Sequence, residues 1–251
     1  MGDLQQELAS LCRIARPVEF DSACGTLVRG RHPAVTDEVL QGQHPVRAWE
    51  YSQALRALER WEQSPRAAKA RAGYTIADIG GAGSHFWQAL AANGRTLAID
   101  LVDPAAPVPD EDGVPVELLS GPHVRANQAT LAQWAAPALD MREVYHAVFC
   151  LSVIEHVEDV GPFLNDLRSL VRPGGLLVLT CDCGPIFPPD IYHFYWMRRR
   201  IFTPAMLWAL AEISRDAGFQ PLDPFDVEYR GPTVYDYTVA SLAFVRKDRD
   251  V

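Results

Sequence analysis

From Thr75 onward, short apolar runs alternate with stretches whose hydrophobic residues recur every three or four positions. The runs predict strands at 75–80, 95–100, about 122–126, 144–151 and 175–181. The periodic stretches predict helices after Ser84, after Thr130, from Asp159 to Val171 and from Pro204 to Ala217. The third of these helices carries signals at both ends. Asp159 is its cap and Pro162 lies in its first turn; Phe163, Leu164, Leu167, Leu170 and Val171 share one face, and Pro173-Gly174 is its stop. Thr203-Pro204 opens the next helix and Gly218 closes it. Such alternation implies a parallel sheet with helices on both faces. Two last apolar segments, near Phe225 to Tyr229 and Thr238 to Val245, predict an antiparallel pair at the sheet edge.

The N-terminal part reads differently. Leu4, Leu8, Leu11 and Ile14 form a helical stripe, after which Pro, Gly and charged residues break the pattern. From Arg47 to Trp61, the residues Ala48, Tyr51, Leu55, Leu58 and Trp61 recur at threes and fours and predict a second helix. The chain therefore divides into an N-terminal helical extension, 1–70, and an α/β domain, 71–251, with no internal repeat or low-complexity tract.

Composition narrows the partners. A hydrophobic content of 48% is ample for a core, and 23 basic against 32 acidic residues give a formal charge of −9. A surface of that sign is not built to hold a phosphate backbone, which favours small-molecule or protein partners over nucleic acid. The runs AVFCLSVI and GLLVLT are far shorter than the roughly 20 residues of a membrane helix, and MGDLQQELAS lacks a signal pattern. The expectation is a soluble, cytoplasmic protein with no membrane partner. Five cysteines, an odd number without framework spacing, predict reduced thiols. Cys181-Asp182-Cys183 lacks the second pair that zinc would need, so packing is its simpler role and no metal is expected.

Thr75 to Gly83, TIADIGGAG, reads as a buried strand turning abruptly into a helix, the junction at which α/β proteins bind adenosine-containing cofactors. Missing side chains at Gly80, Gly81 and Gly83 let a ligand approach the backbone, and N–H groups at the helix start face it. A tight turn that simply needs glycine is the alternative. The dinucleotide fingerprint GxGxxG fits poorly, because Phe86 stands where its third glycine belongs. One strand later, RTLAID ends in Asp100, which either accepts ribose hydroxyls or serves as a turn residue before Asp103-Pro104. Its distance of about 20 residues from the glycines favours ribose.

The segments IADIGGAGS, LAIDLVDP, VFCLSVIEHVEDV, LVRPGGLLVLTCDC and SRDAGF together resemble class I S-adenosylmethionine-dependent methyltransferases, especially the small-molecule group. The resemblance implies a Rossmann-like, mostly parallel seven-stranded sheet with a reversed last hairpin. It implies that Asp78, Gly80, Gly81 and Gly83 line the methionine and ribose portion of the cofactor. By the same resemblance, Asp100, with Leu101 beside it, holds the ribose, and Leu151 and Ser152 border the cofactor at the end of the fourth strand. Two positions depart from the pattern. HVRANQATL offers Asn127 or Gln128 where an acid commonly faces the adenine amino group, so a side-chain carbonyl must substitute. VYHAVF carries His146 where an aspartate is usual, and a core or edge role explains it best. Glu155-His156 resembles a metal-binding pair of certain ubiquinone-pathway and small-RNA methyltransferases, but Ser152 stands where those carry a further glutamate. Many metal-free relatives keep the pair as structure.

The resemblance implies methyl transfer to a small-molecule acceptor at oxygen or nitrogen, with S-adenosylhomocysteine as product. The sulfonium already activates the methyl, so the protein aligns donor and acceptor and, for a hydroxyl acceptor, removes a proton. His193, in an insertion of about 184–202, is the first candidate base and His156 the second. In the same insertion, Tyr192, Tyr195 and Trp196 are suited to cover an acceptor and Arg199 to pair with its carboxylate or phosphate. The helix around Trp49, Glu50 and Tyr51 is expected to close the pocket from the other side, with Trp49 and Tyr51 as substrate contacts. A noncatalytic cofactor-binding or interaction protein that keeps the fold is the leading alternative, supported by the two departures, and a nucleotide-dependent oxidoreductase is a third reading.

Overall fold

The strands are β1 (Cys12–Ile14), β2 (Tyr74–Ile79), β3 (Thr96–Val102), β4 (His123–Asn127), β5 (Tyr145–Leu151), β6 (Val171–Cys183), β7 (Phe219–Pro221), β8 (Phe225–Asp226) and β9 (Thr238–Arg246). The helices are α1 (Arg47–Glu62), α2 (Phe86–Ala91), α3 (Leu131–Trp134), α4 (Val160–Leu170) and α5 (Pro204–Asp216). They belong to a computed structural model that describes residues 10–20, 31–67, 73–81, 83–105, 122–136, 143–185, 200–233 and 237–248. All nine strands join one sheet in the order β4-β3-β2-β5-β6-β9-β1-β8, with β7 also paired to β9. β2 to β6 run parallel, and β9 lies antiparallel to β6. The order reverses between β2 and β5, which opens a crevice at their carboxyl ends, where such sheets bind ligands.

Each face of the sheet carries a helical layer. Leu55, Leu58 and Trp61 of α1 and Phe86 and Leu90 of α2 pack on Ile76 and Phe149. Leu164, Leu167 and Leu170 of α4 and Leu207 and Leu210 of α5 pack on Ala77, Val148 and Leu177. The helix starts follow their caps: the Asp159 carboxylate accepts the Gly161 N–H at 3.1 Å and the Thr203 hydroxyl accepts the Met206 N–H at 3.2 Å. His146 sits at the N-terminal end of β5, where its ring accepts the Thr75 N–H at 3.2 Å. Burial, then the charge of Arg172, push its pKa down to about 4. No helix among the described residues is long and apolar enough to cross a membrane.

Two expectations are corrected. Ile14 lies in strand β1, with Leu11 in the bend just before it, rather than on a helical stripe, since the outer edge of β9 offers β1 backbone partners that local periodicity cannot reveal; residues 1–9 lie outside the described residues. The antiparallel pair expected between 225–229 and 238–245 does not form. β8 pairs parallel with β1, while β7 and β1 share the outer edge of β9.

A buried polar knot fixes β1. Both terminal nitrogens of Arg13 donate to the Glu19 carboxylate at 2.6 Å, the Arg13 guanidinium lies 5.3 Å from the Trp49 ring centre, and Trp49 Nε1 donates to Glu19 Oε1 at 2.9 Å. Burial would raise the Glu19 carboxyl, but Arg13 and the neighbouring N–H donors bring it below its ordinary value. Trp49 is thereby committed to the core, 1% exposed, and does not close a pocket as expected. Glu19→Ala would strand a buried guanidinium and an indole N–H. It should cost about 3–5 kcal/mol of unfolding free energy, read as a lower denaturant midpoint at unchanged slope; a loss below about 1 kcal/mol would contradict this.

Candidate active site

The turn after β2 is shaped by two steric vetoes. Gly80 has φ +77° and a Cβ there would run into Val153, while a Cβ on Gly81 would fall 2.5 Å from Asp78 Oδ2. The Gly80 N–H donates to the Val102 carbonyl at 2.8 Å, locking the turn to the end of β3. In front of it lies a cavity of about 150 Å³. Of the residues nominated from sequence, Asp78, Gly80, Gly81, Gly83 and Leu151 line it, joined by Gln43, Arg47 and Ser84, which were not nominated.

The cavity holds one acid and one base. Asp78 is 2% exposed, and among the described residues its Oδ2 has no hydrogen-bond partner. Burial pushes its pKa up to about 7, against the pull of Arg47 and with the help of Asp103. Arg47, in the first turn of α1, donates through Nη1 to Glu50 Oε2 at 3.0 Å and to the Leu151 carbonyl at 3.4 Å. The Tyr51 hydroxyl lies 3.2 Å from Gln43 Oε1 and 3.3 Å from Ser84 Oγ, and Gln43 Nε2 donates to the Gly83 carbonyl at 3.2 Å. Tyr51 thus stands behind the wall, binding α1 to the glycine turn.

Asp100 is not at the cavity. Side chains alternate across β3, so Ile99 and Leu101 point into the layer of α1 and α2 while Asp100 and Val102 point to the opposite layer. There Asp100 accepts two 2.7 Å bonds from Arg125 and one of 2.8 Å from the Tyr145 hydroxyl. Asp103, just beyond the strand, returns to the side of Asp78 and takes part in raising that residue's pKa. Its N–H donates to the Asn127 carbonyl at 3.1 Å and its Oδ1 accepts the Ala105 N–H at 2.7 Å. The parity of RTLAIDLVD was the available signal. Leu101 is packed in the core. Asn127 Nδ2 donates to the Leu101 carbonyl at 3.3 Å, and exposed Gln128 reaches the Pro104 carbonyl at 3.3 Å, both at the end of β4.

Ser152 follows β5 with φ +53°, its N–H donating to Thr180 Oγ1 at 3.0 Å and its hydroxyl to Glu50 at 2.6 Å. His156 lies exposed on the short turn Ile154–His156, beside buried Glu155. Among the described residues no group of three His, Cys, Asp or Glu could hold a metal ion, and Cys12, Cys150, Cys181 and Cys183 are free and buried. Tyr192, His193, Tyr195, Trp196 and Arg199 lie outside the described residues.

A family model described as a methyltransferase domain matches residues 49–222. A ubiquinone biosynthesis O-methyltransferase of Pseudomonas savastanoi pv. phaseolicola is 27% identical over 187 residues, covering 68% of this chain and 74% of that protein. One of the same name from Rickettsia conorii is 32% identical over 110 residues, 42% of this chain; the match spans only 34% of that relative's length. Among solved structures, the [4+2]-cyclase SpnF superposes with a TM-score of 0.54 at 15% identity, covering 80% of this chain and 83% of that one, and shows a shared fold.

The raised pKa of Asp78 means that the folded chain holds this proton more tightly than the unfolded chain. The associated stability is complete below about 3.8 and is lost as pH rises through about 7. Asp78→Asn is therefore expected to leave the thermal midpoint of the ligand-free protein nearly unchanged near pH 4 and to raise it above wild type near pH 8. A midpoint lower than wild type at the alkaline end would contradict the assignment.

Proposed function

Because the chain belongs to the methyltransferase-domain family of class I S-adenosylmethionine-dependent enzymes, we propose that it transfers a methyl group from S-adenosylmethionine to a small-molecule acceptor. The observation that carries this reading is the pair of opposite polarity lining one cavity, the Asp78 carboxyl, whose Oδ2 is unpartnered among the described residues, and the Arg47 guanidinium. The amino-acid end of the cofactor is a zwitterion, so its ammonium suits Asp78 and its carboxylate suits Arg47. Gly80 and Gly81 leave backbone for close approach. Ribose hydroxyls are assigned to Asp103 in place of Asp100, adenine to the amides of Asn127 and Gln128, and the cofactor border to Leu151 and Ser152.

When bound, the cofactor supplies an electrophilic methyl. The chain's own work is to bind it, orient the acceptor and exclude water. Oxygen is favoured as the acceptor atom by the names of the ubiquinone-pathway relatives, and nitrogen is the other option. Proton removal is assigned first to His193 and second to His156, and acceptor contacts to Tyr192, Tyr195, Trp196 and Arg199. The net charge of −9 supports a small molecule over nucleic acid. Noncatalytic use of the fold is the second reading, since a cyclase shares it and fold alone does not dictate chemistry.

Calorimetry with S-adenosylmethionine and S-adenosylhomocysteine is the first test, and failure to bind either would sink the enzyme reading. Affinity for S-adenosylhomocysteine should rise with pH through about 7, as Asp78 loses its proton and meets the ammonium; in Asp78→Asn that dependence should flatten. Asp103→Ala should weaken binding by roughly tenfold or more, two hydroxyls losing a charged acceptor. Asp100→Ala should instead lower stability with little change in affinity, and the reverse ranking would restore Asp100 to the ribose.

A further inference from the structure

Glu50 lies at 0% exposure in the first turn of α1. Oε1 accepts the Ser152 hydroxyl at 2.6 Å and the Thr180 hydroxyl at 2.5 Å, and Oε2 accepts Arg47 Nη1 at 3.0 Å. The donors come from α1, from the residue after β5 and from β6. An isolated buried carboxylate would be costly, and three converging donors offset that cost. For stability alone an apolar residue of similar size would serve as well. Two of the three donors, however, belong to the wall of the cavity or adjoin it.

Arg47 lines the cavity and shares its Nη1 between Glu50 and the Leu151 carbonyl. Ser152 keeps a left-handed φ of +53°, which a residue with a side chain rarely holds unless its surroundings impose it. Arg47 and Glu50 are three residues apart and so share a helix face. One helical turn therefore grips the end of β5 and aims a guanidinium at the same time.

We propose that Glu50 is a positioning residue for the cofactor's carboxylate: it tethers one nitrogen of Arg47, leaving the remaining N–H donors to face the cavity, and holds the β5 terminus beneath them. This rests on the reading of the cavity as the site of the cofactor's amino-acid end. A guanidinium already confined to one geometry loses less freedom on binding than a free one. Glu50 thus adds affinity for ligands that carry the carboxylate and none for ligands that lack it.

The test is calorimetry on the full chain with S-adenosylhomocysteine and with 5′-methylthioadenosine, which keeps the nucleoside and the sulfur but has no amino acid. Glu50→Gln should weaken S-adenosylhomocysteine binding by roughly tenfold and change methylthioadenosine binding by less than about twofold. In an Arg47→Ala background, Glu50→Gln should change S-adenosylhomocysteine binding by less than about twofold, because the group it positions is gone. Equal losses for both ligands, or the same loss in both backgrounds, would reduce Glu50 to a packing residue. Wild-type protein that binds neither ligand would overturn the cavity reading beneath the proposal. Wild type that binds the two equally would remove the Arg47 contact on which it depends. Should Glu50→Gln not fold, Glu50→Asp carries the same cycle: its charge is kept, its reach is one methylene short, and a several-fold loss confined to S-adenosylhomocysteine is expected.

Discussion

No side chain can be accommodated at positions 80 and 81: one would strike Val153 and the other the carboxyl of Asp78. From that exclusion the rest of the site follows. The chain leaves β2 in a left-handed turn, its N–H at 80 bonds to the end of β3, and a hollow remains above Asp78 instead of packed protein. Asp78 loses water and, among the described residues, its Oδ2 gains no partner in exchange, so it resists ionisation near neutrality. The carboxyl thus borders the hollow with its proton held more tightly than in an exposed aspartate.

What completes the site comes from outside the parallel sheet. The first turn of α1 sits at the carboxyl ends of β5 and β6, and consecutive parts of it do different work. Trp49 points away into the knot with Arg13 and Glu19, whereas Arg47 and Glu50 point at the crevice and Tyr51 braces the glycine turn. The knot and the site thus occupy different sides of one helical turn, with Trp49 only two residues from Arg47.

The central strands and the glycine turn are legible in the sequence because parallel strands buried on both faces are continuous apolar runs, and because Asp159 and Thr203 mark their helices by chemistry that works locally. Asp100 is legible as a buried acid near the turn, yet its distance along the chain says nothing about which face it occupies. The two-residue period does, and it puts Asp103 rather than Asp100 on the side of Asp78. Arg47 escapes notice because the apolar spacing of α1 reports the packed face alone, while the partner of its polar face, Leu151, lies more than a hundred residues away. Leu11 and Ile14 mislead for a related reason: a spacing of three suits a helix, and only the distant edge of β9 turns the segment into a strand.

β1 is formed by residues 12–14, but the strands that receive it, β8 and β9, begin at Phe225 and Thr238. A chain growing from its N-terminus must therefore carry this segment unplaced while the whole parallel sheet is synthesised. α1 has its own seat on β2 and β5 through Leu55, Leu58 and Trp61, but its tie through Trp49 and Glu19 leads to the segment that waits for β9. Among the described residues, the strand nearest the N-terminus is thus placed only after the parallel strands exist. A chain cut before residue 238 would keep the glycine turn and the parallel strands but lose the β9 edge that pairs with β1 and, through Arg13, Glu19 and Trp49, steadies the first turn of α1.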